Sequence, residues 1–152
     1  YGFKILKKKY FLKDHSIFYS TVNLKKPNNK ISFKNEYKLN KKLFKNYFSY
    51  YQNISSKINE VINKTQKPVY LFGAHIFSQY LINFGLNQRR IVNILDNDKL
   101  KQNKRLYGTN LIVKSPEILK KINSPLVILK AGVYNEEIKK QLTKLNRAIT
   151  VI

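Results

Sequence analysis

VYLFGAHIFSQYLINFGL occupies Val69–Leu86, and IVNILDNDKL follows at Ile91–Leu100. The first stretch is an apolar run that stops at a glycine and passes at once into helical spacing. The second is an apolar run that ends in an acid. Together they read as the opening of a βαβ unit, with strands at 69–72 and 91–95. Between them Ile76, Phe77, Tyr80, Leu81 and Phe84 fall on one helix face, and Gly85 suits the helix C-terminal cap. Loops that hold dinucleotides carry three glycines at this turn, whereas Gly73 stands alone and is followed by Ala74 and His75.

Downstream the alternation continues. DNDKLKQNKRLYGT (96–109) is a polar, basic loop, and LIV (111–113) a short third strand. SPEILKKI (115–122) has a serine N-cap, proline at the first helical position and an acid in the first turn. LVILK (126–130) is a fourth strand. Asn135 is placed to cap a helix with Glu136 and Glu137 in its first turn, and AITVI (148–152) is a fifth strand. Strands alternating with helices imply a parallel sheet with right-handed crossovers. The expected fold class is α/β: a Rossmann-like, doubly wound, mostly parallel five-stranded sheet in the order 3-2-1-4-5.

Upstream, Leu43, Phe44, Tyr47, Phe48, Tyr51, Ile54, Ile58, Val61 and Ile62 recur in steps of three and four. They predict a long amphipathic helix over about 40–64, its aromatic stripe serving as packing surface, with Pro68 closing the zone. The expected organisation is thus an N-terminal basic and aromatic segment (1–38), an amphipathic helix (39–66) and the α/β domain (67–152). Within the first segment SIFYSTV (16–22) has strand propensity, and KKPNNK (25–30) reads as a turn.

Composition narrows the chemistry. The 152 residues contain no cysteine, which removes disulfides and thiolate catalysis, and the two histidines, His15 and His75, give no metal spacing. No apolar run reaches the length of a membrane span, and lysines interrupt the N-terminal apolar stretch, so a cytoplasmic location is expected. The net charge is +22, with fifteen basic and three acidic residues in 1–66 and fifteen and five in 67–152. Spread this evenly and carried mostly by lysine, it reads as a solvated surface or as attraction for a polyanion. Arginine, the better bidentate reader of phosphates and bases, is scarce. No nucleophile elbow, Walker lysine or paired-carboxylate constellation is present, and no catalytic or metal-binding residue is assigned. His15 beside Asp14 could form an oriented acid–base pair or simply a loop turn.

In an open α/β sheet the ligand lies beyond the carboxyl ends of the strands. Gly73, Ala74 and His75 follow the first strand there. Asp96 ends the second strand 23 positions after Gly73, where a carboxylate normally meets ribose hydroxyls, and the 131–135 loop follows the fourth.

VYLFGAH, ILDNDKLKQNKRLYGTNLIVKSPEIL and LVILKAGVYNEEIKKQL together resemble the C-terminal domain of S-adenosylmethionine-dependent C-methyltransferases acting on nucleotide-linked keto sugars. Over about 68–152 the family pattern is met by Asp96–Asn97, Lys101, Lys104, Gly108–Thr109, Ser115–Pro116–Glu117, Tyr134 and Glu137–Ile138. Two departures are Asn103, where the family loop usually has glycine, and His75 after Gly73–Ala74. Nothing resembles the glycine-rich loop that holds the methyl donor. The resemblance therefore implies a substrate-side domain, not active alone and binding no cofactor by itself, with S-adenosylmethionine expected for the full-length enzyme and a methyltransferase domain upstream or in trans. It implies a nucleotide-linked sugar held by Gly73, Ala74, His75, Asp96, Asn97, Lys101, Lys104, Tyr107, Gly108, Tyr134, Asn135 and Glu137. The competing reading is a lysine-rich protein that binds nucleic acid or another polyanion without catalysis.

Overall fold

The computed structural model describes residues 2–12, 16–24 and 35–152. The proposed turn at 25–30 and the Asp14–His15 pair lie outside the described residues. The chain divides into two compact units, Tyr1–Lys41 and Lys42–Ile152.

In the first unit, β1 (Phe3–Phe11) pairs antiparallel with β2 (Ser16–Asn23), with a register irregularity between Ile5 and Lys7. The strand in β2 follows the SIFYSTV propensity; β1, where lysines interrupt the alternation, carried no such signal. The hairpin is held by cross-strand side chains. Phe11 meets Phe18 edge to face at 6.3 Å, and the Lys8 ammonium lies 5.9 Å from the ring centroid of Tyr19 on the facing strand.

The second unit is built on a five-stranded parallel sheet. Its strands are β3 (Val69–Phe72), β4 (Ile91–Leu95), β5 (Val113–Lys114), β6 (Leu126–Leu129) and β7 (Thr150–Val151), in the order β5-β4-β3-β6-β7. This is the predicted 3-2-1-4-5 order, with the Gly73 strand at the centre, paired to β4 and β6. Every residue of β3 and β6 is buried, because both faces of the sheet are covered. Val69, Leu71, Ile94, Leu126 and Ile128 point to one core, and Tyr70, Phe72, Leu95, Val127 and Leu129 to the other.

The long helix α1 (Tyr37–Lys64) and α2 (Ile76–Asn83) cover the first face; α3 (Asn135–Leu145) and a 3-10 turn at Pro116–Lys121 cover the second. Only the C-terminal half of α1 reaches the sheet core. Ile58 and Ile62 are buried there, and each contributes about 1.5–3 kcal/mol by leaving water. Ser55 adds a buried hydrogen bond from its hydroxyl to the Leu81 carbonyl, tying α1 to α2. Helix α2 ends as the sequence implied. Gly85 has φ +104°, its N–H donates to Ile82 O and that of Leu86 to Leu81 O, the paired bonds of a Schellman cap.

Three elements are shorter or tighter than predicted. The 111–113 run yields a strand only at Val113–Lys114, because the preceding residues close the basic loop: Leu106 N–H donates to Leu111 O and Val113 N–H to Lys104 O. Residues 116–121 wind as 3-10 helix, with Ile118 N–H on Ser115 O, since six residues give an α-helix little to propagate. The last strand begins at Thr150 because Asn146 holds the approach in a turn, accepting from Ala148 N–H through its side chain and from Ile149 N–H through its carbonyl.

Candidate functional site at the carboxyl ends of the strands

The turn from β3 to α2 is closed by its own chain. Gly73 adopts φ +101°, and its N–H donates to Leu95 O at 2.6 Å. His75, extended at the N-cap position, makes no side-chain cap. Its imidazole folds back over Gly73 instead, so that a Cβ there would lie 2.0 Å from Nε2. Glycine is thus favoured by the positive φ, and a larger residue would also have to displace the ring. The Phe77 ring meets the imidazole edge-on at 5.6 Å, and Nδ1 is buried without a hydrogen-bond partner. Burial pushes the His75 pKa below its ordinary value; Lys101 acts in the same direction and Asp96 against it.

Asp96 is the polar centre of the edge. Its side chain is almost fully buried, and Oδ2 accepts from Ala74 N–H at 2.7 Å. Oδ1 accepts from Asp98 N–H at 2.9 Å, and the Lys101 ammonium lies 3.4 Å from Oδ2. The main-chain carbonyl of Asp96 accepts from the Gln102 carboxamide at 3.0 Å. A carboxylate offers about four acceptor positions, of which these contacts use three. Asp96 therefore knits the β3 and β4 loops together and retains one acceptor position.

The basic loop folds back on β5. Asn103 takes φ +62°, the left-handed region where asparagine is the usual substitute for glycine, and its N–H donates to Val113 O at 2.8 Å. This is the physical reason asparagine can stand at a turn position that suits glycine. Lys104 is exposed and anchored through its main chain. Tyr107 and Gly108 lie further out, in a depression of about 310 Å³ against Ile76, Gln79 and Tyr80 of α2. Tyr107 is 87% exposed.

On the β6 side, Lys130 and Ala131 lead into a 3-10 turn at Gly132–Tyr134. Asn135 is the first residue of α3 rather than its cap, and its Oδ1 accepts from Ala131 N–H at 2.8 Å. Glu137 is exposed on the first turn. Asn97 reaches across to α3, exchanging two amide hydrogen bonds with Gln141 at 2.9 and 2.8 Å. The predicted residues thus separate into a tight group (Gly73, Ala74, His75, Asp96 and Lys101), a bridge to α3 (Asn97), and outlying positions.

The structure adds a feature the sequence reading missed. At the switch point between β3 and β6 lies a cavity of about 190 Å³, bordered by Tyr50, Tyr51, Phe77, Lys130, Gly132 and Asn135. The aromatic stripe of α1 read only as packing surface. Tyr51 does pack, stacked on Phe84 at 5.6 Å, but Tyr50, one residue earlier, turns a different face. Among the described residues no cluster of His, Cys, Asp or Glu could hold a metal, and no helix is long and apolar enough to cross a membrane.

The parallel order, the switch-point crevice and the acid at the end of β4 define a Rossmann-like α/β module. The sequence pattern of the C-methyltransferase C-terminal domain matches residues 26–150, and the chain belongs to that family. The match takes in α1 as well as the sheet. A search of curated proteins finds no match to the chain.

Proposed function

We propose that the chain is the substrate-side domain of a sugar C-methyltransferase and binds a nucleotide-linked sugar at the carboxyl edge of its sheet. The observation that carries this reading is the buried Asp96 carboxylate at the switch-point edge, fixed by the Ala74 and Asp98 amides and set 3.4 Å from the Lys101 ammonium. A carboxylate oriented by main-chain donors, with one acceptor position left, suits a sugar or ribose hydroxyl. Lys101 and Lys104 supply positive charge for the diphosphate. The Gly73 turn offers that anion little, since the Gly73 and Ala74 N–H groups are already taken and His75 covers the glycine. The lysines therefore supply most of the phosphate attraction. The same closed turn does not fit S-adenosylmethionine, which needs an open glycine-rich approach, and no methyl-transfer step is assigned to these residues.

Calorimetric titration with UDP-glucose and dTDP-glucose, paired with amide NMR, tests the reading. Binding of either should shift the amides of 96–104, and Lys104→Ala should weaken it. Absence of binding to both would overturn the proposal. A second reading rests on the outer face of α3, where Lys139, Lys140, Lys144 and Arg147 line one open depression. It makes the chain a polyanion binder, whose affinity for single-stranded RNA should fall steeply and linearly with the logarithm of salt concentration.

A further inference from the structure

We infer that the cavity at the β3–β6 switch point seats the nucleobase of a nucleoside diphosphate; this rests on the sugar-nucleotide reading and specifies where the nucleotide end lies. The cavity measures about 190 Å³. Sites that enclose a whole drug-sized ligand run to about 300–1,000 Å³, so this one holds a single ring and leaves phosphates and sugar outside. Its walls suit a flat heterocycle. Tyr50 and Phe77, 57% and 41% exposed, present aromatic surface from α1 and α2. The Tyr50 and Tyr51 rings are set at 89° with centroids 5.4 Å apart, so they form a corner rather than a closed stack.

The polar groups are few and lie on one side, as in sites that fix a ring's orientation. The Asn135 carboxamide is held by the Ala131 N–H on Oδ1, which turns its two Nδ2 donors to other use. Lys130 lines the same cavity, and its side chain is long enough to offer a cation to the first phosphate or an exocyclic carbonyl. Position then gives direction. Phe77, on the cavity wall, touches the His75 imidazole, and His75 covers the turn whose Ala74 N–H is bound to Asp96. A base in the cavity therefore has its ribose and diphosphate leading past His75 toward Asp96 and Lys101. All of these residues belong to one compact unit.

The test titrates UDP and ADP into aromatic-labelled protein, with pyrophosphate as the ring-free control. At least one nucleotide should shift the Tyr50 and Phe77 ring resonances together with the Gly132 amide. Tyr50→Ala should weaken that nucleotide about ten-fold, the order of one base–aromatic stacking contact, and leave pyrophosphate unaffected. Because Tyr50 is largely exposed, its removal leaves the fold intact; Phe77→Ala serves as a second variant and should act in the same direction. If nucleotides bind but shift only residues 96–109, and Tyr50→Ala and Phe77→Ala bind like the wild type, the base seat is wrong while the sugar-nucleotide reading stands. If no nucleotide or nucleotide sugar binds, both fail.

Discussion

Replacing Asp96 by asparagine asks whether this residue serves the ligand alone or also holds the edge of the sheet together. Asparagine keeps the shape but has a single oxygen. It can accept from Ala74 N–H or from Asp98 N–H, not both, and its NH2 group then faces the other donor. At a side chain this buried, losing one hydrogen bond to a charged acceptor costs about 1.5–3 kcal/mol. The ion pair adds little, because the Lys101 side chain is 43% exposed and a solvent-screened pair contributes at most about 1 kcal/mol. The expected loss is about 2–3 kcal/mol, which for a chain of this size lowers Tm by about 4–12 °C. Thermal unfolding followed by far-UV circular dichroism at neutral pH measures it, with Lys101→Ala as a control that should melt close to the wild type. A melting point for Asp96→Asn within about 1 °C of wild type would refute the claim that the carboxylate fastens the β3 turn. Ligand affinity should fall as well, so binding data on this variant need the melt beside them.

Further outcomes follow from neighbouring residues. Because burial lowers the His75 pKa from 6.5, the unfolded chain takes up this proton at higher pH than the folded one. Its contribution to stability is complete above about pH 6.5 and declines as pH falls from there through the folded-state pKa; in denaturant titrations across this range, His75→Gln should lose that part of the slope. Gly85→Ala meets no steric obstacle, since nothing lies near the new Cβ, yet it forces an L-residue to φ +104°. It should cost about 1–2 kcal/mol in chemical unfolding. Ser55→Ala removes the buried α1–α2 hydrogen bond and should cost about 1 kcal/mol, whereas alanine at exposed Ser56 should stay within about 0.5 kcal/mol. An equal effect at both positions would show that Ser55 does not tie the helices.

The sequence by itself determined the architecture of residues 69–152. Apolar runs at 69–72, 91–95 and 126–129, the first and last followed by a turn and a helical pattern and the middle one by a polar loop, read as strands buried on both faces. With right-handed crossovers, the expected doubly wound order puts the Gly73 strand at the centre, as the sheet has it. These are properties of near neighbours, periods of two and 3.6, and a linear reading sees them. It also says at which edge of the sheet the loops after the strands meet, because strand direction decides where they emerge. The tertiary structure alone decided what the side chains there do. Asp96 meets an amide 22 residues away, Asn97 pairs with a residue 44 away, and His75 folds back over Gly73. It also decided how α1 is used: its apolar stripe is periodic from Leu43 onward, yet Leu43 and Phe44 stay exposed while Ile58 and Ile62 are buried. Periodicity states which residues share a face. Only the packing of distant segments supplies what that face meets, and a main-chain donor left by a turn, or a cavity between two helices and a loop, has no signature in the residues that make it.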